Sequence, residues 1–281
     1  MRRDSAVGLA AAAVVTSPVI LGIAYATLAA FGMAGVGATG FTMARVSHVF
    51  ADAETWRSLW WSTRTAVFAT LIASAAAVAV GVAFRAGGRA DRAAQLFAVL
   101  PLPIPHIVAA AAGILLLSQS GLLARFGYVV GIIHAPAQMP VLVGDPRGLG
   151  FTLTLAWKEF PFLSLVTFSL LATRGIAIEE AARTLGAGPW ETLRRATLPM
   201  LWRGLLPAMI VVFIVIAGSY EAGALLSGSN PLPLPVLTYE RYLDLDLARR
   251  GDAYVLTLLA LSLGLVAVAA HEWARAWSER G

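Results

Sequence analysis

Six stretches of the chain are apolar for long enough to cross a lipid bilayer, and polar segments separate them. A helix spanning the hydrocarbon core needs about 20 predominantly apolar residues. The runs Ala6–Phe31, Thr63–Phe84, Ile104–Ser120, Phe151–Ala172, Leu205–Leu226 and Ala253–Ala270 meet or approach that length. They predict an all-α membrane protein of about six transmembrane helices. The third run is the least regular. Pro101, Pro103 and Pro105 each lack a backbone donor and cannot share one regular helix. A short helix over Arg92–Leu100, a break and then the span is expected. Broken backbone at membrane depth must be buried in protein or line a water-filled cavity, which places Pro105 near a pathway or a packed helix interface.

Composition agrees with the pattern. Of 281 residues, 58% are hydrophobic and 13% charged, about half the charged share of a soluble domain. Mean hydropathy is +0.75. The apolar runs cover the whole chain, so a single membrane domain over 1–281 is expected, with its core at 60–270. The formal charge of +5 would suggest nucleic acid in a soluble protein. Here the basic residues lie between apolar runs, so the bilayer is the expected partner and nucleic acid is not. With no cysteine, disulfides and thiolate chemistry are excluded.

Arg2 and Arg3 precede the first apolar run as they would in a secretory signal, but the run is longer than a signal core of about 7–15 residues. It is expected to stay as a first span. With that end inside, the inner connections carry Arg2, Arg3, Arg85, Arg89, Arg92, Arg174, Arg183, Arg194, Arg195, Arg203, Arg275 and Arg280. The outer ones, which are longer, carry Arg45, Arg57, Arg64, Arg125, Arg147, Arg241, Arg249 and Arg250. The bias predicts both termini in the cytoplasm. Phe31–Ser62, Gln119–Gly150 and Ser227–Asp252 then read as long outer loops.

The inner connection between spans four and five has its own helical pattern. Ile178–Leu185 is rich in helix formers, Gly186 stands where a helix end favours a left-handed residue, and Pro189 suits the first turn of a second helix. Pro199 is expected to end that helix before the fifth span. By shape this is an elbow for docking, or a hairpin that merely links two spans.

The residues go further than the shape. Glu180-Ala181-Ala182, Gly186 and Leu198-Pro199, at this spacing and in this place, resemble the EAA signature of binding-protein-dependent ABC importer permeases, which have a MetI-like fold. The resemblance covers about residues 60–270, including Pro101–His106, Trp157–Phe162 and Leu232–Leu237. The last, with Tyr239 and Asp244–Leu247, is similar to permeases of the spermidine/putrescine type. Ala196 stands where the family has a larger aliphatic residue. The resemblance implies that the segment is a cytoplasmic coupling helix docking on a separate ATPase: Glu180 as polar anchor, Ala181 and Ala182 for close approach, Gly186 for the bend. It further implies two ATP-binding subunits, a second permease subunit, an extracytoplasmic solute-binding protein, the inner membrane as location, and a polyamine or similar solute.

Charge within the bilayer is costly and marks function. Lys158 and Glu159 fall inside the fourth span, and Tyr220 and Glu221 near the outer end of the fifth. Lys158 is placed to pair with Glu221, either lining the pathway or fixing helix packing. Other signals are weak. Gly35–Gly40 has dinucleotide-type glycine spacing but follows a membrane helix instead of a strand. No phosphate loop ending in Gly-Lys-Ser/Thr is present, so ATP is expected to be hydrolysed by another chain. His48, His106, His134 and His271 lack metal-ligand spacing, so neither metal nor cofactor is expected. The rival readings are an ion-coupled secondary transporter using Lys158, Glu159 and Glu221, and a membrane-embedded enzyme. The elbow opposes the first, and the want of a catalytic constellation opposes the second.

Overall fold

The computed structural model describes residues 2–35, 37–38, 40–85 and 87–279, with side chains from residue 12 to 277 apart from residue 248. Val36 and Thr39 of the glycine-rich run, the side chains of Arg2 and Arg3, and Arg280 therefore lie outside the described residues. The described chain is all α-helical apart from turns, a short 3-10 segment at Pro136–Gln138 and two π-helical turns. Six helical stretches are long and apolar enough to cross a membrane: Ala12–Ala30, Ala53–Ala83, His106–Val129, Leu149–Thr184, Pro189–Ala217 and Arg249–Trp277. The six expected spans are thus present, though their limits differ.

The chain divides into two compact units, residues 1–58 with 234–263, and residues 59–233 with 264–281. The first holds α1 (Arg2–Ala30), α2 (Ala44–Ala51), the start of α3 (Ala53–Ala83), α12 (Leu234–Leu243) and the first half of α13 (Leu247–Glu279). The expected outer loops at 31–62 and 227–252 are therefore largely helical. Polar and aromatic contacts link the parts of this unit. Arg241 reaches Asp52 at 3.1 Å and Glu54 at 2.5 Å, and His48 Nδ1 lies 2.7 Å from Asp252 Oδ2. Tyr254 stands edge-on to both Tyr25 and Tyr242.

The second unit is built around α7 (Leu149–Leu170), which is buried along most of its length. Three neighbours reach α7 through glycine. A Cβ on Gly81 of α3 would meet Thr167 at 2.5 Å, one on Gly113 of α5 (His106–Leu117) would meet Thr154 at 2.4 Å, and one on Gly204 of α10 (Leu198–Ala217) would meet Leu170 at 2.7 Å. Ala66, Ala69, Ala73 and Ala77, buried and spaced three to four residues apart, extend the small-residue stripe of α3. Lipid tails are as apolar as leucine, so membrane helices associate through close packing of this kind. Near its end, α13 stacks Trp273 on Trp277, with rings 6.2 Å apart, and places Trp277 5.0 Å from the Arg203 guanidinium of α10.

The third span departs from expectation. After α4 (Arg89–Val99) the prolines break the backbone as expected, but α5 ends after only 12 residues and α6 (Leu122–Val129) completes the stretch. Gly121 sits at this second break, where a Cβ would meet the Leu115 and Leu116 carbonyls at 2.8 Å. The fifth span also ends early, at Ala217. Gly218 and Ser219 interrupt it, and α11 (Tyr220–Leu226) is a separate short helix packed on α5 and α7.

Candidate functional site

The elbow between the fourth and fifth spans forms as its residues predict. After α8 (Ile176–Thr184), Gly186 takes φ +85°. Its N–H donates to the Arg183 carbonyl at 2.9 Å, and the Ala187 N–H to the Ala182 carbonyl at 3.1 Å. This pair of bonds closes a helix end with a left-handed residue and satisfies carbonyls that would otherwise be orphaned. Pro189 then opens α9 (Pro189–Thr192) at a position where its missing N–H has no helical partner to lose. Glu180, Ala181, Gly186, Leu198 and Pro199 are exposed and Ala182 is half-buried. Leu185 and Trp190 are 88% and 70% exposed, so the bend presents two large apolar groups on a polar segment.

The first arm is continuous with the fourth span: α7 runs through a π-helical turn, Leu171–Gly175, directly into α8. One expectation about the elbow needs correction, because Pro199 does not stop the second arm. A second π-helical turn, Leu193–Thr197, leads from α9 into α10, and the Leu198 N–H donates back to the Leu193 carbonyl, five residues away. The widened turn frees the backbone where proline cannot donate, so the helix continues past it. Both arms are thereby continuous with membrane spans.

Glu179, immediately before the signature, was not singled out by sequence. It is buried at 9% exposure while its neighbour Glu180 faces outward. Glu179 Oε1 accepts from Arg85 Nη1 at 2.5 Å and from the Thr197 hydroxyl at 2.8 Å, and Arg183 lies 3.5 Å from Oε2. One carboxylate thus joins α8, the second π-turn and the connection that follows α3. Arg85 is 94 residues away in sequence, so local pattern could not reveal the pairing.

The intramembrane charges are arranged differently from expectation. Lys158 and Glu159 are both buried on α7. The structure does not bring Lys158 to Glu221. Among the described residues no carboxylate lies within ion-pair distance of Lys158, and its amine approaches only the Leu102 carbonyl, at 3.5 Å, in the proline break. Glu159 pairs with His106 Nε2 at 2.8 Å, just after Pro105, which caps α5. Tyr220 and Glu221 are exposed and stand in the first turn of α11, beyond the interruption that ends the fifth span. That break takes Glu221 out of the helix of the fifth span, on which the expected Lys158–Glu221 pairing was based.

In the first unit, Arg45, His48, Asp246, Arg249 and Asp252 line a pocket of about 560 Å³. Arg45 is committed to the Ala29 carbonyl, His48 to Asp252 and Arg249 to Asp244. Among the described residues, no group of three His, Asp or Glu side chains is placed to hold a metal.

Residues 70–277 match the family described as the binding-protein-dependent transport system inner membrane component. The chain belongs to that family. Its curated relatives include the sulfate transport system permease CysW of Synechocystis, 30% identical over 58% of this chain and 56% of that protein. The molybdenum transport system permease ModB of Mycobacterium tuberculosis is 28% identical over 76% of this chain and 75% of that protein. The chain thus spans little more than half the length of the first relative and three quarters of the second. By fold it is similar to a chain of the bacterial alginate ABC transporter, with a TM-score of 0.70 at 17% identity, covering 99% of this chain and 96% of that one. As a family member it is a multi-pass membrane component, and the elbow lies inside the matched region.

Proposed function

We propose that this chain is the membrane-spanning permease of an ATP-driven importer, with residues 60–270 as its transport core. The observation that carries the reading is the elbow: an exposed, Gly-closed bend continuous with two spans, within the region that matches the permease family. On this reading a separate ATPase docks at Glu180, Ala181, Ala182 and Gly186, with Leu198 and Pro199 at the base of the second arm. Two ATPase subunits, a second permease subunit and an extracytoplasmic binding protein complete the assembly in the bacterial inner membrane, with both termini cytoplasmic. ATP does work only if it favours the closed arrangement of the ATPase pair over the open one. The two helical arms then carry that difference into the spans. Pro105, Lys158, Glu159, Tyr220 and Glu221 are the pathway candidates.

The sequence suggested a polyamine as solute. The relatives cited are instead named for sulfate and molybdenum. Buried Lys158 has no carboxylate within ion-pair distance among the described residues, and a lone buried cation favours an anionic visitor over a cationic one. An oxyanion-bearing solute is therefore the substrate class we put first.

Co-expression with the ATPase partner provides the test. Wild type should co-purify with it, while Gly186→Pro and Glu180→Lys should lose it, because proline is confined to φ near −65° and the second change reverses the anchor's charge. In vesicles carrying the full assembly, labelled sulfate or molybdate uptake should exceed spermidine uptake. Uptake without any ATPase, indifferent to both substitutions, would instead establish a secondary carrier.

A further inference from the structure

The buried carboxylate beside the signature has a connection that docking alone does not require. Glu179 holds Arg85, and Arg85 opens the segment that leads into α4. The two flanks of that connection are tied to α4. Gln95 donates to the Phe84 carbonyl at 2.8 Å, and the Gly88 N–H donates to Asp91 at 2.8 Å, fixing the start of α4. α4 packs along α7 and ends at the proline break, whose Leu102 carbonyl is the group that Lys158 approaches. A continuous path of short polar contacts and one helix therefore runs from the elbow to the broken backbone near the intramembrane charges. The same carboxylate oxygen accepts from Thr197, so both arms of the elbow are tied to this path.

We infer that Glu179 and Arg85 form a relay that couples displacement of the elbow to α4 and the break at residues 100–105. Glu179 is here a positioning residue, distinct from the outward-facing Glu180 that would meet the ATPase. The inference rests on the permease reading. The Glu179 carboxylate is 12% exposed and the Arg85 guanidinium 30%, so this charge-assisted bond is screened less than a fully exposed pair. The spans joined to the elbow through π-turns would still move without the relay, but α4 would no longer be obliged to follow.

The chain has no cysteine, so a single Leu102→Cys substitution provides a clean probe in the complete transporter with its ATPase. Maleimide labelling of this cysteine would be compared without nucleotide and after trapping with ATP and vanadate. In the otherwise wild-type background, nucleotide should change the labelling rate at least about fivefold, the low end of coupling between two sites. Glu179→Gln and Arg85→Ala should each bring that change below about twofold, while ATPase co-purification and ATP hydrolysis persist. The exchange Arg85→Glu with Glu179→Arg should restore part of it. Persistence of the full nucleotide-dependent change in both single variants would overturn the relay. Loss of ATPase binding along with it would also overturn it, showing that Glu179 only folds the docking surface. Failure of the wild-type background to bind any ATPase would instead refute the permease reading.

Discussion

The second unit contains two kinds of helix irregularity, and they do opposite things. Around the elbow, π-turns at Leu171–Gly175 and Leu193–Thr197 absorb a change of register without ending the helix. Around the pathway candidates, proline and glycine end helices outright, at residues 100–105, at 118–121 and at Gly218–Ser219. A π-turn keeps the backbone bonded, and so it can bear load. A true break releases N–H and C=O groups that must find partners elsewhere. The elbow thus stays continuous with its spans, whereas the broken region is made of parts held in place by individual contacts. Lys158 on the Leu102 carbonyl and His106 on Glu159 are such contacts.

If that contrast is sound, the broken region should be the more fragile of the two. The largest effect is expected at Gly113, where valine would drive a methyl group into Thr154, 2.4 Å from the Cβ position. Overpacking of this kind costs about 1–3 kcal/mol or more. A lowered melting temperature in detergent would show it, and an unchanged one would mean that α5 is free to move off α7. Next comes His106→Phe, which leaves the buried Glu159 carboxylate without its partner, at a cost of roughly 1–3 kcal/mol. Adding Glu159→Gln should recover most of the loss in the same melting experiment, and a double variant as unstable as the single one would show that the pair is not the cause. The smallest effect is expected on the elbow surface. Glu191 and Arg195 form an exposed pair at 2.9 Å, so Glu191→Gln should change stability by no more than about 0.5 kcal/mol. A larger loss would mean that the elbow depends on its exposed side-chain pairs as well as on buried Glu179.

The regular parts of this architecture were legible in sequence, because hydrophobic length and Gly/Pro punctuation report directly on local backbone. Six spans, the turn at Gly186 and the break at the proline triplet were readable in this way. What escaped was anything decided by partners distant along the chain. Pro199 looked like a stop, because nothing local announced the widened turn that carries the helix past it. Gly218 looked like an ordinary residue of a span, although the helix ends there and α11 packs separately on α5 and α7. Glu179 and Glu180 are indistinguishable by composition. One helical step of about 100° turns one inward and the other outward, and only Arg85, far away in sequence, shows which of them is buried.

The aromatic end of α13 has an optical consequence. An indole's emission colour responds to charge beside its ring, and Trp277 carries the Arg203 guanidinium over its face, with Trp273 stacked nearly parallel on it. Because Arg203 belongs to the helix that continues from the elbow, a shift of α10 against α13 should change the tint and brightness of Trp277. The difference spectrum between the native chain and Trp277→Phe would isolate that signal, giving the molecule a built-in gauge that needs no attached dye.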